Sequence, residues 1–327
     1  MKGIENFVSH IGSELEIWLR YREKELPKVS VFGGAVKCEA SPDMCEGVTE
    51  PRQSVVESVG ILREMLRQIG KTNVILTSRR PAYLVNDSED YWSNAERYNQ
   101  LREKLAEEAV PSFAHLIDAM VHNCSFQLSM SGFFDPRVAG VFLINIFNNM
   151  FPYFAQVIHR EVGQGYGHLA VWQKFAGAGR LPDPNRWPAD FDAMAEFISR
   201  IPRILSADGG VVPAGQMMSV DCPLDLSTLW WHVRFKISPA GVPYIEFRGM
   251  PSMSLEHCQK FGQMLVDAVN VLLTWFYGAN KGRPVSTLRE ARPAFEFLAD
   301  CFRGTAYQGY FPDRPQTEEE WRGSILK

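Results

Sequence analysis

Ile11-Gly12-Ser13-Glu14-Leu15-Glu16-Ile17-Trp18-Leu19 places two carboxylates two residues apart inside an apolar, strand-like run. Alternate side chains of a strand share a face. Glu14 and Glu16 therefore point one way, and Leu15, Ile17 and Leu19 the other. Two acids side by side on a central strand repel each other and lose hydration, and a buried ion costs several kcal/mol unless compensated. A divalent cation is the simplest compensation, so the pair marks a candidate metal site.

The same two-sided pattern recurs downstream. In Ser125-Phe126-Gln127-Leu128-Ser129-Met130-Ser131 the polar residues alternate with Phe126, Leu128 and Met130. Along Leu226 to Ile237, the even positions Thr228, Trp230, His232, Arg234 and Lys236 oppose the odd positions Leu229, Trp231, Val233, Phe235 and Ile237. In Tyr244-Ile245-Glu246-Phe247-Arg248, Tyr244, Glu246 and Arg248 share one face. Each strand thus has an apolar face for helices to cover and a second face rich in Glu, Arg, Gln and Trp. Antiparallel sheets often leave one face to water, but acids on two strands set against bases on two fit a curved sheet cupping a charged cavity better.

Strand-like segments fall at about 10–19, 29–37, 73–78, 123–131, 227–237 and 243–249, and helix-like segments at about 52–69, 90–119, 137–161, 188–204, 254–277 and 285–303. Strands and helices mix without a βαβ rhythm, which predicts an α+β fold: a curved, mainly antiparallel sheet with helices on its outer face. No linker divides the 327 residues, so 1–327 reads as one domain. There is no phosphate-binding GxxxxGK[ST] loop and no strand-linked GxGxxG. Hydrophobic content of 46% and charged content of 22% are ordinary for a globular chain. A net charge of -4 gives no general attraction to nucleic acid or anionic lipid. The apolar run from Val138 to Pro152 is too short to span a bilayer and reads as a core helix. The N-terminus lacks a signal-peptide layout, so the expected location is the cytoplasm. Six cysteines without a CxxC pair give neither a zinc nor a disulfide signature and are expected reduced.

These motifs together resemble the glutamate–cysteine ligase-like carboxylate–amine ligases. Gly12-Ser13-Glu14-Leu15-Glu16 is similar to that family's Gly-x-Glu-x-Glu strand. The segment from Glu39 to Pro51, with Glu46 and Thr49, resembles its Glu-x-x-Thr element followed by a helix. Tyr166 to Gly179, with Trp172 and Gln173, is similar to its loop ending in a Val-Trp-Gln-like turn. The run from Ser227 to Lys236 and Tyr244-Ile245-Glu246-Phe247-Arg248 resembles its paired late strands ending in Glu-x-Arg. The match runs from about residue 10 to about residue 275. It departs at Gln127-Leu128-Ser129, where many relatives carry His-x-His, and in the loop Arg160 to Tyr166.

The resemblance implies a glutamine synthetase-like catalytic fold and an ATP- and Mg²⁺-dependent reaction, with Mn²⁺ as an alternative ion. That reaction joins a carboxylate, usually the γ-carboxylate of glutamate, to an amine through an acyl-phosphate. The implied partners are small amino acid and amine substrates, not nucleic acid or membrane, and a homo-oligomer is compatible. Hard divalent cations take oxygen ligands, which makes Glu14, Glu16, Glu46 and Glu246 the expected metal ligands, with Glu39 a weaker fifth. Arg248 and Arg234 are the expected catalytic cations, and with Lys236 they are the expected nucleotide-phosphate contacts; the alternative is that the two arginines pair with those glutamates as ordinary salt bridges. Thr49, Gln127 and Trp172 are expected to bind substrate. His122, His168 and His232 read as ordinary surface or core histidines, and Arg79-Arg80-Pro81 as a solvated basic turn. The competing readings are a catalytically inactive binding or regulatory protein on the same fold, and another phosphoryl-transfer enzyme such as a guanidino kinase or a glutamine synthetase-like enzyme.

Overall fold

The computed structural model describes residues 3–20, 29–39, 41, 43–70, 72–81, 84, 123–163, 187–199, 231–238 and 241–325. Seven strands build one sheet: β1 Val8–Leu19, β2 Gly34–Cys38, β3 Met44–Thr49, β4 Val74–Ile75, β5 Ser125–Gly132, β6 Val233–Ile237 and β7 Pro243–Pro251. Their order is β2-β3-β1-β5-β7-β6, with β4 paired to the end of β1, and the pairings are antiparallel. Among the described residues the helices are α1 Val55–Ile69, α2 Val141–Val162, α3 Phe191–Ser199, α4 Leu255–Tyr277, α5 Leu288–Phe302 and α6 Glu318–Ile325. A single π turn, Pro136–Gly140, leads into α2. The expected α+β architecture is the observed one.

The odd positions of β1 and the matching positions of its neighbours supply the sheet's apolar face. Leu15, Ile17, Phe126, Leu128, Val233, Phe235, Ile245 and Phe247 are all buried there. Val55, Val59 and Leu62 of α1, Phe147 and Phe151 of α2, and Phe261, Leu265 and Val269 of α4 belong to the same core. Each such side chain contributes about 1.5–3 kcal/mol when fully buried. The helices start where the sequence signals a start. Ser54 accepts a hydrogen bond from the Glu57 N–H, Ser254 from that of His257, and Thr287 from that of Glu290.

The π turn and α2 together are long and apolar enough to cross a membrane by length and composition, but 89% of their most apolar window is buried within the protein. Pro152 sits inside α2 and has no N–H to offer the carbonyl of Asn148. The indole N–H of Trp321 on α6 takes that carbonyl instead, at 3.0 Å. Two reciprocal bonds between Asn149 and the backbone of Gln316, at 3.0 and 2.8 Å, hold the same segment against α2.

The structure adds elements that the residue pattern did not announce. β3 was expected only as an acidic segment. Its Gly47 breaks the apolar alternation, yet it lets Met65 and Leu62 of α1 approach to 3.2 and 3.3 Å of where a Cβ would stand. Helix α6 was not expected either. The segment 29–37 is strand only from Gly34, and the helix-like segment 90–119 lies outside the described residues.

Candidate active site

Pairing register decides which side chains meet on the polar face. Glu16 stands opposite Glu46, and Glu14 opposite Val48 on β3 and Gln127 on β5. Ser129 stands opposite Glu246, which in turn stands opposite Arg234 on β6. Lys236 pairs in register with Tyr244. The even-numbered positions of β1 and β6 and their partners therefore form one continuous polar face across five strands. The acids lie at the β3–β1 end and the bases at the β7–β6 end.

At the basic end Glu246 has no exposed surface. Its Oε2 accepts from Arg234 Nε at 2.8 Å and its Oε1 from Lys236 Nζ at 2.7 Å, while Arg248 Nε lies 3.3 Å from Oε2. Burial alone would raise this carboxyl, but the three cations outweigh it and hold it well below the usual carboxylate range. Arg234 is drawn down to about 10 by burial and by Arg248. Burial would lower Lys236 too, but the Glu246 charge raises it above its ordinary value. Among the described residues, three cations stand around one anion at this end.

At the acidic end Glu16 Oε2 accepts from the Ser125 N–H at 2.6 Å and its hydroxyl at 2.8 Å, and Oε1 from Gln127 Nε2 at 3.3 Å. Burial and then the neighbouring Glu39 push Glu16 up to about 8, against the pull of Ser125 and Arg248. Glu46 is likewise raised well above its ordinary value, first by burial and then by Glu14, Glu39 and Glu16, and it shares a hydrogen bond with Glu14. Lys37 stands opposite Glu46 in register but is exposed.

The acids were expected to form one ligand set with Glu246, but the structure sets Glu246 apart from Glu14, Glu16 and Glu46, with both of its oxygens bonded to cations. Among the described residues, no three His, Cys, Asp or Glu side chains converge closely enough to hold an ion as they stand. Glu16 is turned onto Ser125, while Glu14 and Glu46 are bonded to each other. The donors nevertheless fit a hard divalent cation in kind: carboxylates crowded by burial and mutual repulsion.

Thr49 is not brought to the polar face. Its hydroxyl accepts the Ser13 N–H at 2.9 Å and meets Ser58 of α1 at 2.9 Å, on the helix side of the sheet. The expected substrate-binding role for it falls away, because position 49 lies one pleat out of phase with Glu46 and Val48. Gln127 does reach the polar face, between the two ends. Its Nε2 faces Glu16, and its Oε1 accepts from Arg248 Nε at 3.3 Å. Trp172, His122 and His168 lie outside the described residues.

His232 does not continue the alternation. The chain bends before β6, and the imidazole stacks on Phe151 of α2 with 5.1 Å between ring centres. Arg80 is not solvated. Its side chain is buried against Asp43 and lies 5.9 Å from the Trp18 ring, and only Arg79 of that turn is exposed. Trp18, Met44, Leu84 and Cys124 form a second small apolar cluster there, on the polar face beyond Glu16. Ser125 was not anticipated as a site residue. It follows the alternation of β5, but only the register aligns it with Glu16.

No family model matches the chain, and no curated protein matches it. The solved structures to which the chain is similar include two ligases. One is a glutamate–cysteine ligase from Francisella tularensis in complex with AMP, at 11% identity and a TM-score of 0.46, covering 98% of this chain and 82% of that one. The other is a bifunctional glutathione synthetase from Pasteurella multocida, at 10% identity and a TM-score of 0.43, covering 97% of this chain and 46% of that one.

Proposed function

We propose that this protein is an ATP- and Mg²⁺-dependent carboxylate–amine ligase that activates a carboxylate as an acyl-phosphate and transfers it to an amine. The γ-carboxylate of glutamate or of a related amino acid is the proposed donor. The observation that carries this reading is the division of one sheet face into an acidic end, Glu14, Glu16 and Glu46, and a cationic end, Arg234, Lys236 and Arg248 around Glu246.

A carboxylate is a poor electrophile, and bringing a polyphosphate to it sets anion against anion. Preorganised cations aimed at the charge that moves during transfer lower that barrier. Arg248 is the best placed. It sits at the inner edge of the cationic end with 22% of its side chain exposed, while Arg234 at 4% is committed to Glu246. Lys236, 26% exposed, holds the other oxygen of Glu246. Glu246 fixes the directions of all three. Glu14, Glu16 and Glu46 would hold the divalent ion, and such an ion, when bound, supplies counter-charge to the phosphates. Glu39 adds negative charge at their border.

The test is to incubate the protein with ATP, Mg²⁺ and panels of amino acids and amines, reading ADP release and product mass. An amide product that needs both substrates supports the ligase. A phosphorylated guanidine would replace it with a kinase. Tight nucleotide binding without turnover under any pairing would favour a binding protein. That second reading draws on the saturation of Glu246 by its three neighbours.

A further inference from the structure

Gln127 lies where the two ends of the polar face meet, and its two amide atoms are matched to them. Oε1 accepts from Arg248 Nε, and Nε2 donates to Glu16 Oε1, each at 3.3 Å. A second contact from Nε2 to Ser125 Oγ, also at 3.3 Å, fixes which way round the amide lies. A bulge in the β5–β7 pairing reinforces the arrangement. Phe126 pairs with Met250 and Leu128 with Phe247, so both Arg248 and Gly249 face Gln127. Bulges of this kind re-aim a side chain. Gly249 is required at the bulge, because a Cβ there would lie 2.4 Å from the Phe151 ring.

No other side chain of this size satisfies both neighbours. A carboxylate at 127 would face Glu16, and a cation would face Arg248. The amide is neutral and carries a donor and an acceptor at opposite ends. Once Glu16 is ionised it and Arg248 are opposite charges one amide apart, and the arginine's charge already acts on Glu16. With the intervening group removed, a long guanidinium side chain would close on that carboxylate. Such a pair would occupy a metal-binding oxygen and withdraw the cation from the phosphate space at one stroke.

We propose that Gln127 is a positioning residue, a neutral spacer that keeps Arg248 from pairing with Glu16 and so keeps the cation-binding and phosphate-binding ends separate. This rests on the reading of the polar face as a metal and phosphate site. It assigns Gln127 a role different from a substrate contact or a metal ligand.

The experiment measures Mn²⁺ binding to the full chain by calorimetry, with no nucleotide present, in wild type, Gln127→Ala, Arg248→Ala and the double variant. In Gln127→Ala the dissociation constant rises by about tenfold or more, the scale of coupling between neighbouring charged groups. In Gln127→Ala/Arg248→Ala it returns to within about threefold of wild type, because the side chain that would fill the space is gone. If the double variant stays as weak as the single one, Gln127 is itself a ligand or a packing element, and the spacer role is overturned. Unchanged affinity in Gln127→Ala overturns it as well. Gln127→Ser, alone and with Arg248→Ala, serves in its place if the alanine variant does not fold. A wild-type protein that takes up no Mn²⁺ overturns both the spacer and the reading of the polar face beneath it, which separates the two failures.

Discussion

Glu16 and Glu46 stand directly opposite each other across β1 and β3, and both carboxyls are pushed above their ordinary range. Burial is the larger cause for each, and the acids around them add repulsion. The neighbouring half of the same face shows the reverse, with Glu246 pulled down by three cations. One sheet thus holds two carboxylate environments of opposite sign, a few strands apart.

The Glu16–Glu46 pair sets a pH dependence of stability. The folded chain holds the Glu16 proton up to about 8, the unfolded chain only to about 4.5. Between those values the folded state binds more protons, so stability is full below about 4.5 and falls as pH rises towards 8. Glu16→Gln removes that slope. Its melting temperature at pH 8 is expected to exceed that of wild type, and the gap should close near pH 5. Mg²⁺ added at pH 8 should raise the wild-type value more than that of the variant. Parallel thermal melts for the two proteins across this range would count against the assignment.

Glu246→Gln strips the counter-charge from three cations packed around a fully buried group. Breaking a buried pair in this way typically costs about 3–5 kcal/mol. Urea unfolding should report a loss of that order. ADP release should fall by at least roughly a hundredfold, the scale of a lost transition-state electrostatic contact. Wild-type turnover in a folded variant would remove the anchoring role.

Arg248→Ala separates catalysis from stability. The side chain is partly exposed and shares Glu246 with two other cations. Its loss should cost little in the unfolding midpoint while turnover falls by roughly a hundredfold. A large loss of stability with activity retained would reverse the assignment.

His232 gives a second pH effect of opposite sign. Burial against Phe151 lowers its pKa from 6.5 to about 3, and its Nε2 has no hydrogen-bond partner. The fold therefore keeps it neutral. The stability this represents is complete above about 6.5 and drains away as pH drops towards 3. His232→Phe keeps a flat ring without the proton. Its urea midpoint should decline less than that of wild type between about pH 7 and pH 4. Equal declines would mean that the imidazole is not the group responsible.

Strand faces were legible in the sequence because a period of two needs no partner to be seen. Leu15, Phe126, Phe235 and Phe247 all fall on the helix side, and Glu14, Gln127, Arg234 and Glu246 on the other. What stayed hidden was register. It places Ser125 beneath Glu16 and sets Arg234 and Lys236 of β6 against Glu246. Register depends on which strands pair, and that is a long-range fact. The bend that turns His232 towards Phe151 was hidden for the same reason, since its cause is an aromatic surface supplied from α2. The burial of Arg80 likewise depends on Asp43, a residue far away in the chain.

The separation of charge along one face has a directional consequence. On the proposed reading, a small zwitterion approaching the sheet would meet a fixed electric gradient and be turned before contact, its ammonium group towards β1 and β3 and its acid group towards β6 and β7. Capture of such molecules should slow as salt is added, because mobile ions flatten the gradient within about a Debye length.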